Sequence, residues 1–539
     1  MGRTPVNNGS TSGDQGGISP RMVVGGVIVC LCISAFLAFG LWNSNLIEDD
    51  AFIFFRYVDN FLAGDGLTWN PGGEKVEGYS SFLWVLVLAI PRQFGLDAVS
   101  AAHLLNGLFL MAALSAGSLL IRQIQGRWTW AAVVAPFILG TSASFTKWSR
   151  LGMETMLFAA IATVAITLTL RRSETGLGGI TTGIVHGLLV LVRPEGFLIS
   201  LVCLVWTLLE NRRKRAGVLS RTEMLWFAGF AAVFLPHEAW RIHYYGDWIP
   251  NTFHAKVGFG PGVIRRGMDG LFSYLATGRG VLSSLAVISW AAFSKNQREG
   301  GILAALLGIW LVYLTFVLGL PRWDLWYSMP VDLFSLLLVS LPVSALISNM
   351  ASRTEKGESW IWLCLVAVII LMTNVSGALE SNLKTGKGLR ITLRDPVASA
   401  RVNEFSVIGK TLKSIAHEGD TIAVGACGAI PYYSELTTFD VLGLNDKHIA
   451  QTRLDGPVTD AFGHEKGDGR YILSKKPTIL IPLPILTSRP SKSHSGFEKS
   501  FIEIYALPQF RDGYEFRFFK IAGGPYAGKF FNYWVRKDQ

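Results

Sequence analysis

A series of long apolar runs, separated by short basic clusters, constrains the fold of this chain more than any other feature of its sequence. The first run, residues 22–42, contains no charged residue and is long enough to cross a bilayer as a helix. Half of the 539 residues are hydrophobic, only 16% are charged and the mean hydropathy is +0.37. Soluble domains carry about 25% charged residues. The sequence therefore predicts a polytopic α-helical membrane protein.

The basic clusters indicate which ends of the apolar runs face the cytoplasm, and residues 211–215, NRRKR, form the strongest one. The net charge of +10 is explained by this topology, and no basic stripe interleaved with aromatic residues points to nucleic acid. About 11 spans satisfy the pattern with a cytoplasmic N-terminus. They are residues 22–42, 101–121, 128–146, 155–170, 177–192, 196–209, 224–243, 280–293, 302–320, 326–347 and 359–374.

Charge alternation places the loop at residues 43–98 outside the cytoplasm only if residues 82–90 do not cross. That apolar segment would make roughly 14 Å of helix, against a hydrocarbon core of about 30 Å. A re-entrant or interfacial helix is therefore predicted there.

The predicted crossings divide the chain into three parts. Residues 1–21 are predicted to be a disordered cytoplasmic tail, and residues 22–374 the transmembrane domain with its catalytic loop at 43–98. Residues 375–539 are left outside as an extracytoplasmic α/β or α+β domain. Its strands are expected near residues 421–425, 438–442 and 478–483, and a helix near 396–416.

Several unusually polar loops fall on the same outer face in this topology. They are residues 48–81, 147–154, 193–196, 236–260 and 321–326. Ionisable groups close to the membrane are costly and usually face a cavity. Their coincidence predicts one polar active cavity beneath the C-terminal domain.

Three consecutive acids, Glu48 to Asp50, open a segment with helical spacing directly after the first span. Asp49, Arg56 and Asn60 share one side of this helix and phenylalanines line the other, which predicts an amphipathic helix along the membrane surface. Asp49 and Asp50 could simply stabilise the helix N-terminus. Alternatively, an outward-facing acid in a partly dry cavity could act as a general base on an acceptor hydroxyl.

Cationic side chains on the same face suggest where an anion would bind. The predicted ligands of a phosphate leaving group are Arg241, His254, Lys256 and Arg193. Two alternatives stay open. Each cation could snorkel to the interface, and the acids Glu154, Glu195 and Glu238 could form structural ion pairs with arginines close to them in sequence.

Sequence motifs for bound metals and nucleotides are absent. The sequence contains no GxxxxGK[ST] loop, no HExxH and no His/Cys ligand cluster, and four of its five cysteines fall in apolar runs, so no disulfide framework is expected. Asp49 and Asp50, with Glu48, could bind a divalent cation through oxygen. Metal use therefore stays open.

Five blocks, in order along the chain, carry a resemblance to a known family. They are EDDAFIFFRYVDNFLAGDGLTWNPGGEKVEGYSSFLWV, SRLGMETMLF, LVRPEGFL, AWRIHYYGDWIPNTFHAKVG and, in the tail, IPYYSELTTFDVLGLND. As a set they resemble the AftB-type arabinofuranosyltransferases of the GT-C superfamily, over most of the chain.

The resemblance implies an inverting transferase of the bacterial cytoplasmic membrane. Its donor would be a polyprenyl-phospho-arabinose, decaprenyl-phospho-arabinose, and its acceptor a cell-envelope glycan. A first-loop aspartate is the usual base in this superfamily, so the role falls to Asp49 or Asp50, with Asp49 favoured. The cationic block would face the lipid phosphate. The residues expected to contact the sugar or the acceptor are Arg56, Trp69, Asn70, Glu77, Tyr79, Glu154, Glu195, Tyr245 and Asn251.

Other functions stay open at this point. The acceptor could be a protein such as a pilin, or the donor another polyprenyl-phospho-sugar. Tyr432, Tyr433, Asn445 and Asp446 of the tail could contact sugar or could be core residues. A lipid-linked sugar transporter would also have many spans, but it should show internal repeats, and none is visible. A sensor or scaffold would not need acids and cations gathered on one face.

Overall fold

The structure, a computed structural model, describes residues 18–39, 46–171, 176–214, 220–258, 260–293, 298–321, 326–351, 396–453, 462–494 and 498–537. The apolar part is helical. Its helices are α1 (Pro20–Phe39), α2 (Asp49–Ala63), α3 (Phe82–Gln93), α4 (Ala98–Gln125), α5 (Ala131–Thr141), α6 (Ala143–Trp148), α7 (Thr155–Arg171), α8 (Gly176–Val192), α9 (Gly196–Arg213), α10 (Arg221–Tyr245), α11 (Asn251–Lys256), α12 (Pro261–Leu275), α13 (Gly278–Phe293), α14 (Gly301–Val312) and α15 (Met329–Ala351).

Among the described residues, two stretches of helix are long and apolar enough to cross a membrane by length and composition, Ala98–Gln125 and Trp326–Ala345. Helices α12 and α13 form a third such stretch if taken together, but they meet at an angle of 83°. Further apolar helices, including α5, α7 and α14, are shorter. The number of crossings therefore stays a prediction, and its last predicted span, residues 359–374, lies outside the described residues.

Two predicted elements differ in detail from the structure. The predicted span at residues 128–146 is divided into α5 and α6, which meet at Ser142 in an extended conformation. The segment predicted not to cross forms α3, whose 12 residues make about 18 Å of helix. This length is well below the thickness of a hydrocarbon core, and a segment that does not cross stays a prediction.

The C-terminal part is a mixed sheet with helices. Its helices are α16 (Pro396–Ile415), α17 (Ala429–Ser434), α18 (Lys447–Gln451), α19 (Gly469–Ser474), α20 (Lys499–Ala506) and α21 (Pro508–Gly513), and its strands are β1 (Thr421–Val424), β2 (Thr437–Asp440), β3 (Ile479–Ile481), β4 (Tyr514–Lys520) and β5 (Phe530–Arg536). The strand order is β2-β1-β3-β5-β4. Strand β1 pairs in parallel with β2 and β3, whereas β5 pairs antiparallel with β3 and β4. The predicted α/β class is confirmed, and strands β4 and β5 were not predicted.

The amphipathic helix predicted after the first span is present as α2, but its surroundings differ from the prediction. Glu48 occupies the N-cap position, two acids lie in the first turn, and Gly64 ends the helix at a left-handed φ of 94°. Part of its apolar side packs on the C-terminal domain. Phe52 and Phe55 are each 1% exposed and pack on Tyr432 and Tyr433 of α17, with ring centroids 5.3 to 6.1 Å apart. The C-terminal domain therefore covers part of the apolar side of α2, and the position of this helix along the membrane surface stays a prediction.

Buried Arg56 of α2 fastens the C-terminal domain to the first loop. Its guanidinium donates to the carbonyl oxygens of Trp69 (2.8 Å), Pro431 (2.6 Å) and Leu436 (2.9 Å) and to Asn70 Oδ1 (3.1 Å). The Asn70 side chain makes two hydrogen bonds with the backbone of Thr438 in β2: its Nδ2 donates to the carbonyl oxygen at 2.9 Å, and its Oδ1 accepts from the N–H at 3.0 Å. The loop and the sheet are thus joined by hydrogen bonds that neither could make alone.

Replacing Arg56 by Leu should destabilise the protein by roughly 3 kcal/mol, because it removes four hydrogen bonds of a buried guanidinium, two of them to the C-terminal domain. A fall of several degrees in the melting temperature of the detergent-purified protein is expected, together with faster proteolytic release of the C-terminal domain. Arg213→Leu is the matched control, since the Arg213 side chain is 60% exposed and its pair with Glu210 is a surface pair. Equal melting temperatures for the two variants would contradict this role.

Candidate active site

The first acid of α2, Asp49, is bound to the C-terminal domain. Its two carboxylate oxygens accept hydrogen bonds from the backbone N–H groups of Gly428 (3.1 Å) and Ala429 (2.8 Å). A side chain at Gly428 would not fit, because a Cβ would lie 1.9 Å from the Asp49 backbone oxygen. Burial raises the pKa of Asp49 to about 7, more than the two N–H groups lower it. Asp49 therefore does not cap its own helix and instead positions α2 beneath α17.

The raised pKa predicts a pH dependence of stability. The folded protein binds the Asp49 proton more tightly than the unfolded chain, so this contribution is complete below pH ~4 and is lost as the pH rises through about 7. The amide in Asp49→Asn does not titrate, so this pH-dependent contribution to stability is absent from the variant. The difference in melting temperature between about pH 5 and about pH 8 should therefore be smaller in the variant than in the wild type. An unchanged difference would show that Asp49 does not titrate in this range.

The second acid, Asp50, faces a cation rather than the backbone. Its carboxylate lies 3.8 Å from Lys256 Nζ at the end of α11, and its side chain is 30% exposed. Burial lowers the pKa of Lys256, but Tyr327 and Asp50 outweigh burial and hold that pKa above its ordinary value. Lys256 therefore stays charged at neutral pH, beside an accessible carboxylate.

Arg193 forms a second cationic centre next to this pair. It contacts the carboxylates of Glu154 (Nε–Oε1, 3.6 Å) and Glu195 (Nη2–Oε1, 3.3 Å), and the arginine side chain is 2% exposed. Tyr327 joins the two centres, since its ring lies 5.0 Å from the Arg193 guanidinium and its side chain interacts electrostatically with Lys256. Structural ion pairing of Glu154 and Glu195 is thus present, and it holds Arg193 beside Lys256.

A segment of the C-terminal domain, residues 462–466, forms one wall of this cluster. The Phe462 ring packs on Tyr327 with centroids 6.1 Å apart, and the backbone of Gly463 lies against the methylenes of Lys256. His464 is within electrostatic range of Asp50 and Lys256, and burial lowers its pKa. Glu465 pairs with Arg266 of α12 at 2.7 Å and Lys466 donates to the carbonyl of His254 at 2.7 Å. The C-terminal domain therefore lines the cluster directly.

The other predicted phosphate ligands have different partners. Arg241 pairs with Glu77 (Nε–Oε2, 3.8 Å) and with Glu238 one helical turn before it. His254 contacts Asp247 (Nε2–Oδ2, 3.1 Å), and its side chain is more exposed than that of Arg241. The contacts of the described residues thus bring Lys256 and Arg193 together through shared partners, and they place Arg241 in a separate group with Glu77.

Several residues predicted to contact sugar make contacts within the protein. Trp69 lies under the Arg56 guanidinium at 4.7 Å, and the Tyr79 hydroxyl hydrogen-bonds to that of Tyr245 at 2.9 Å. Asn251 donates to the carbonyl oxygens of Gly443 and Leu444 in the C-terminal domain, at 2.8 and 2.9 Å. These contacts fix the loop, and a role in sugar binding stays a prediction for Arg56, Asn70 and the residues named here. Tyr432 and Tyr433 are packed against α2, as their alternative assignment as core residues requires.

Sequence analysis missed Tyr327, Phe462 and His464. Tyr327 follows the predicted polar loop at 321–326 by one residue, so a slightly wider loop would have included it. The other two lie in a polar stretch with no local motif, FGHEK, and only tertiary packing brings them to Lys256. Within the described residues, no group of three or more His, Cys, Asp or Glu side chains is arranged to hold a metal ion. The predicted divalent cation stays open.

Comparison with solved structures identifies the fold. ArnT from Cupriavidus metallidurans bound to undecaprenyl phosphate superposes with a TM-score of 0.51 at 14% identity, over 78% of this chain and 86% of that one. The Archaeoglobus fulgidus oligosaccharyltransferase complex with Zn and sulfate gives 0.53 at 14% identity, over 77% and 62%. Arabinofuranosyltransferase AftD from Mycobacteria gives 0.52 at 13% identity, over 97% and 40%. The protein has a GT-C fold. The predicted fold class, a multi-pass GT-C membrane protein with a C-terminal α/β region, is thereby confirmed.

Sequence comparison finds a curated protein that is similar to part of this chain. The terminal beta-(1->2)-arabinofuranosyltransferase of Mycobacterium tuberculosis is 28% identical over 240 residues, which are 42% of this chain and 37% of that protein. The chain thus matches less than half the length of this curated relative. Residues 394–529 match a domain of unknown function, DUF8728. The predicted likeness to GT-C arabinofuranosyltransferases is supported, and nothing singles out the AftB type within them.

Proposed function

We propose that this GT-C protein is an inverting arabinofuranosyltransferase that takes D-arabinofuranose from a polyprenyl-phosphate donor and adds it to a cell-envelope glycan. The single observation that carries the proposal is the Asp50–Lys256 pair, an accessible carboxylate beside a partly buried ammonium, with Arg193 held next to it through Tyr327. The names of the curated relative and of AftD support arabinofuranose as the sugar, and the lipid bound to ArnT supports a polyprenyl-phosphate carrier.

Asp50 is the proposed base, with Asp49 as a positioning residue. Both oxygens of Asp49 accept hydrogen bonds from the C-terminal domain, whereas Asp50 is partly exposed. The acceptor hydroxyl oxygen would attack the anomeric carbon of the arabinose and give its proton to the Asp50 carboxylate. The bond between that carbon and the phosphate oxygen breaks at the same time, on the opposite side of the ring, so the configuration inverts.

The cations would act on the leaving group. As the bond to the sugar breaks, negative charge grows on the lipid phosphate, and Lys256 and Arg193 would stabilise that charge. Glu154 and Glu195 hold Arg193 in place before the substrate arrives. The phosphate is a good leaving group, so a base and two cations are sufficient and no step needs a nucleotide.

The proposed topology places this chemistry outside the cytoplasm. The basic cluster at residues 211–215 would face the cytoplasm, and the first loop and the C-terminal domain would face outward. The direct contacts between that loop and the C-terminal domain support a common side. A lipid-linked donor suits this location, since its tail stays in the bilayer while its sugar reaches the polar cluster.

A panel of donors tests the proposed function. The purified protein in lipid nanodiscs is incubated with an arabinofuranoside acceptor and with radiolabelled polyprenyl-phospho-arabinose, another polyprenyl-phospho-pentose or a nucleotide-linked arabinose. Label should move to the acceptor only from polyprenyl-phospho-arabinose, with inverted configuration by NMR. Transfer from the nucleotide sugar, or from another lipid-linked pentose alone, would contradict the proposal.

A further inference from the structure

A cavity of about 120 Å³, with a mostly apolar lining and a few polar groups, lies between the first loop and the end of α10 that carries Arg241. Its polar lining comes from Glu77 and Ser80 of the loop and from His237, Glu238 and Arg241 of α10. Apolar side chains of α8 and α9 close its other side, and Trp248 stands at its edge. None of these α10 or loop side chains belongs to the Asp50–Lys256 cluster.

Polar atoms in this cavity lack hydrogen bonds. Neither ring nitrogen of His237 has a hydrogen-bond partner among the described residues, and neither does Arg241 Nε, whose nearest carboxylate is Glu77 at 3.8 Å. Arg241 is 7% exposed, so its guanidinium cannot turn to bulk water. Leaving such groups unsatisfied is unfavourable. The cavity is therefore suited to a ligand that supplies both donors and acceptors.

The charges of the cavity disfavour a phosphate. One guanidinium faces two carboxyl groups, Glu77 and Glu238, so there is no surplus positive charge. Burial raises the pKa of Glu77 to about 8, which leaves this group mostly protonated at neutral pH and adds a hydrogen-bond donor. The cavity is then close to neutral. Hydroxyl groups suit this lining, because each one both donates to a carboxyl oxygen and accepts from a guanidinium or imidazole.

Aromatic rings add a surface for the apolar face of a sugar. Trp248 is 74% exposed at the edge of the cavity, so its ring is accessible to a ligand. Inside, the Phe82 ring lies 4.4 Å from the His237 ring. Such rings combine an apolar face with fixed geometry, and together with the polar groups they match a ring bearing hydroxyls on its edge.

The cavity lies close enough to the candidate base for one glycan chain to reach both. Pro250 lines the cavity and directly precedes α11, whose last residue, Lys256, contacts Asp50. The six residues of α11 make about 9 Å of helix. A short oligosaccharide could therefore occupy the cavity while its terminal hydroxyl lies at Asp50.

We propose that this cavity is an acceptor subsite that binds an uncharged furanose ring of the glycan, separate from the site of the lipid phosphate. The inference rests on the proposed function for the identity of the glycan. It replaces the phosphate role predicted for Arg241 by contact with sugar hydroxyls, and it adds His237 and Trp248 to the residues that recognise the acceptor.

The test uses the full-length protein in nanodiscs and two probes, a short arabinofuranose oligosaccharide and polyprenyl phosphate, each titrated without turnover. Trp248→Leu changes an exposed residue and His237→Phe keeps an aromatic ring, so both variants should fold. Each should weaken oligosaccharide binding at least about tenfold and leave polyprenyl phosphate binding unchanged. Phe94→Leu is the control, because Phe94 is 86% exposed and is not part of the cavity lining.

Three results would overturn the subsite. They are no oligosaccharide binding by the wild type, unchanged binding in both variants, or a loss of polyprenyl phosphate binding in place of oligosaccharide binding. The last result would assign the cavity to the lipid phosphate. Because binding is measured without chemistry, failure of sugar transfer in the wild type would remove the proposed function while leaving the subsite in place.

Discussion

Replacing Asp50 by Asn should reduce the rate of sugar transfer about 10²- to 10⁴-fold, the usual contribution of a general base. The amide keeps the size of the side chain but cannot take the proton of the acceptor hydroxyl. Because the amide also removes the negative charge beside Lys256, the lipid phosphate should bind at least as well as in the wild type. The effect should therefore appear in kcat, with the KM for the donor unchanged or lower.

Two companion variants make this result specific. Asp65→Asn changes an exposed acid of the same loop and should leave transfer unaffected. Asp49→Asn should lower the melting temperature more than it lowers kcat in the molecules that remain folded, since Asp49 bonds to the backbone of the C-terminal domain. If Asp49→Asn abolished kcat in a stable protein while Asp50→Asn stayed active, the roles of the two acids would be exchanged.

The second large effect is expected from Lys256→Gln. The ammonium lies beside Asp50 and is joined through Tyr327 to Arg193, so it is placed where charge grows on the leaving phosphate. Removing one preorganised group at such a position lowers kcat about 10²- to 10³-fold. The affinity for polyprenyl phosphate should fall as well, because the ground-state phosphate already carries charge.

Tyr327→Phe separates the position of the ammonium from its charge. The phenyl ring keeps its contacts with Arg193 and Phe462, and only the hydroxyl, which interacts electrostatically with Lys256, is lost. A smaller loss of kcat than in Lys256→Gln is expected. Lys520→Gln, at an exposed lysine of β4, is the control for charge alone. Unchanged kcat and donor affinity in Lys256→Gln would show that the phosphate binds elsewhere.

Local patterns predicted much of the fold. The apolar runs, the helix after the first span and strands β1, β2 and β3 follow from hydrophobic periodicity and turn residues. Strands β4 and β5 were missed, although Tyr514 and Phe516 alternate with the charged residues Glu515 and Arg517, as residues in strands do. The environment of α2 could not be predicted, because an apolar helix face packs equally well on lipid or on protein. Its actual cover, Tyr432 and Tyr433, lies far along the chain.

The part of the candidate site that follows from the charge pattern and the predicted topology could be predicted from the sequence. Placing the acidic loop, Arg193 and Lys256 on one face needed only the basic clusters and the lengths of the apolar runs. The different roles of Asp49 and Asp50 could be assigned only from the tertiary structure, since they depend on two backbone N–H groups of residues 428 and 429. The separation of Arg241 from Lys256 likewise depends on its partners Glu77 and Glu238, which no local spacing specifies.

One measurement tests the central claim most directly. Wild-type protein and Asp50→Asn are loaded in nanodiscs with radiolabelled polyprenyl-phospho-arabinose, and one turnover is started by adding an arabinofuranoside acceptor. The wild type should transfer the label and release polyprenyl phosphate in equal amounts, while Asp50→Asn holds the donor without transferring it. Equal single-turnover rates for the two proteins, or a wild type that binds the lipid donor and transfers nothing to any glycan, would contradict the account.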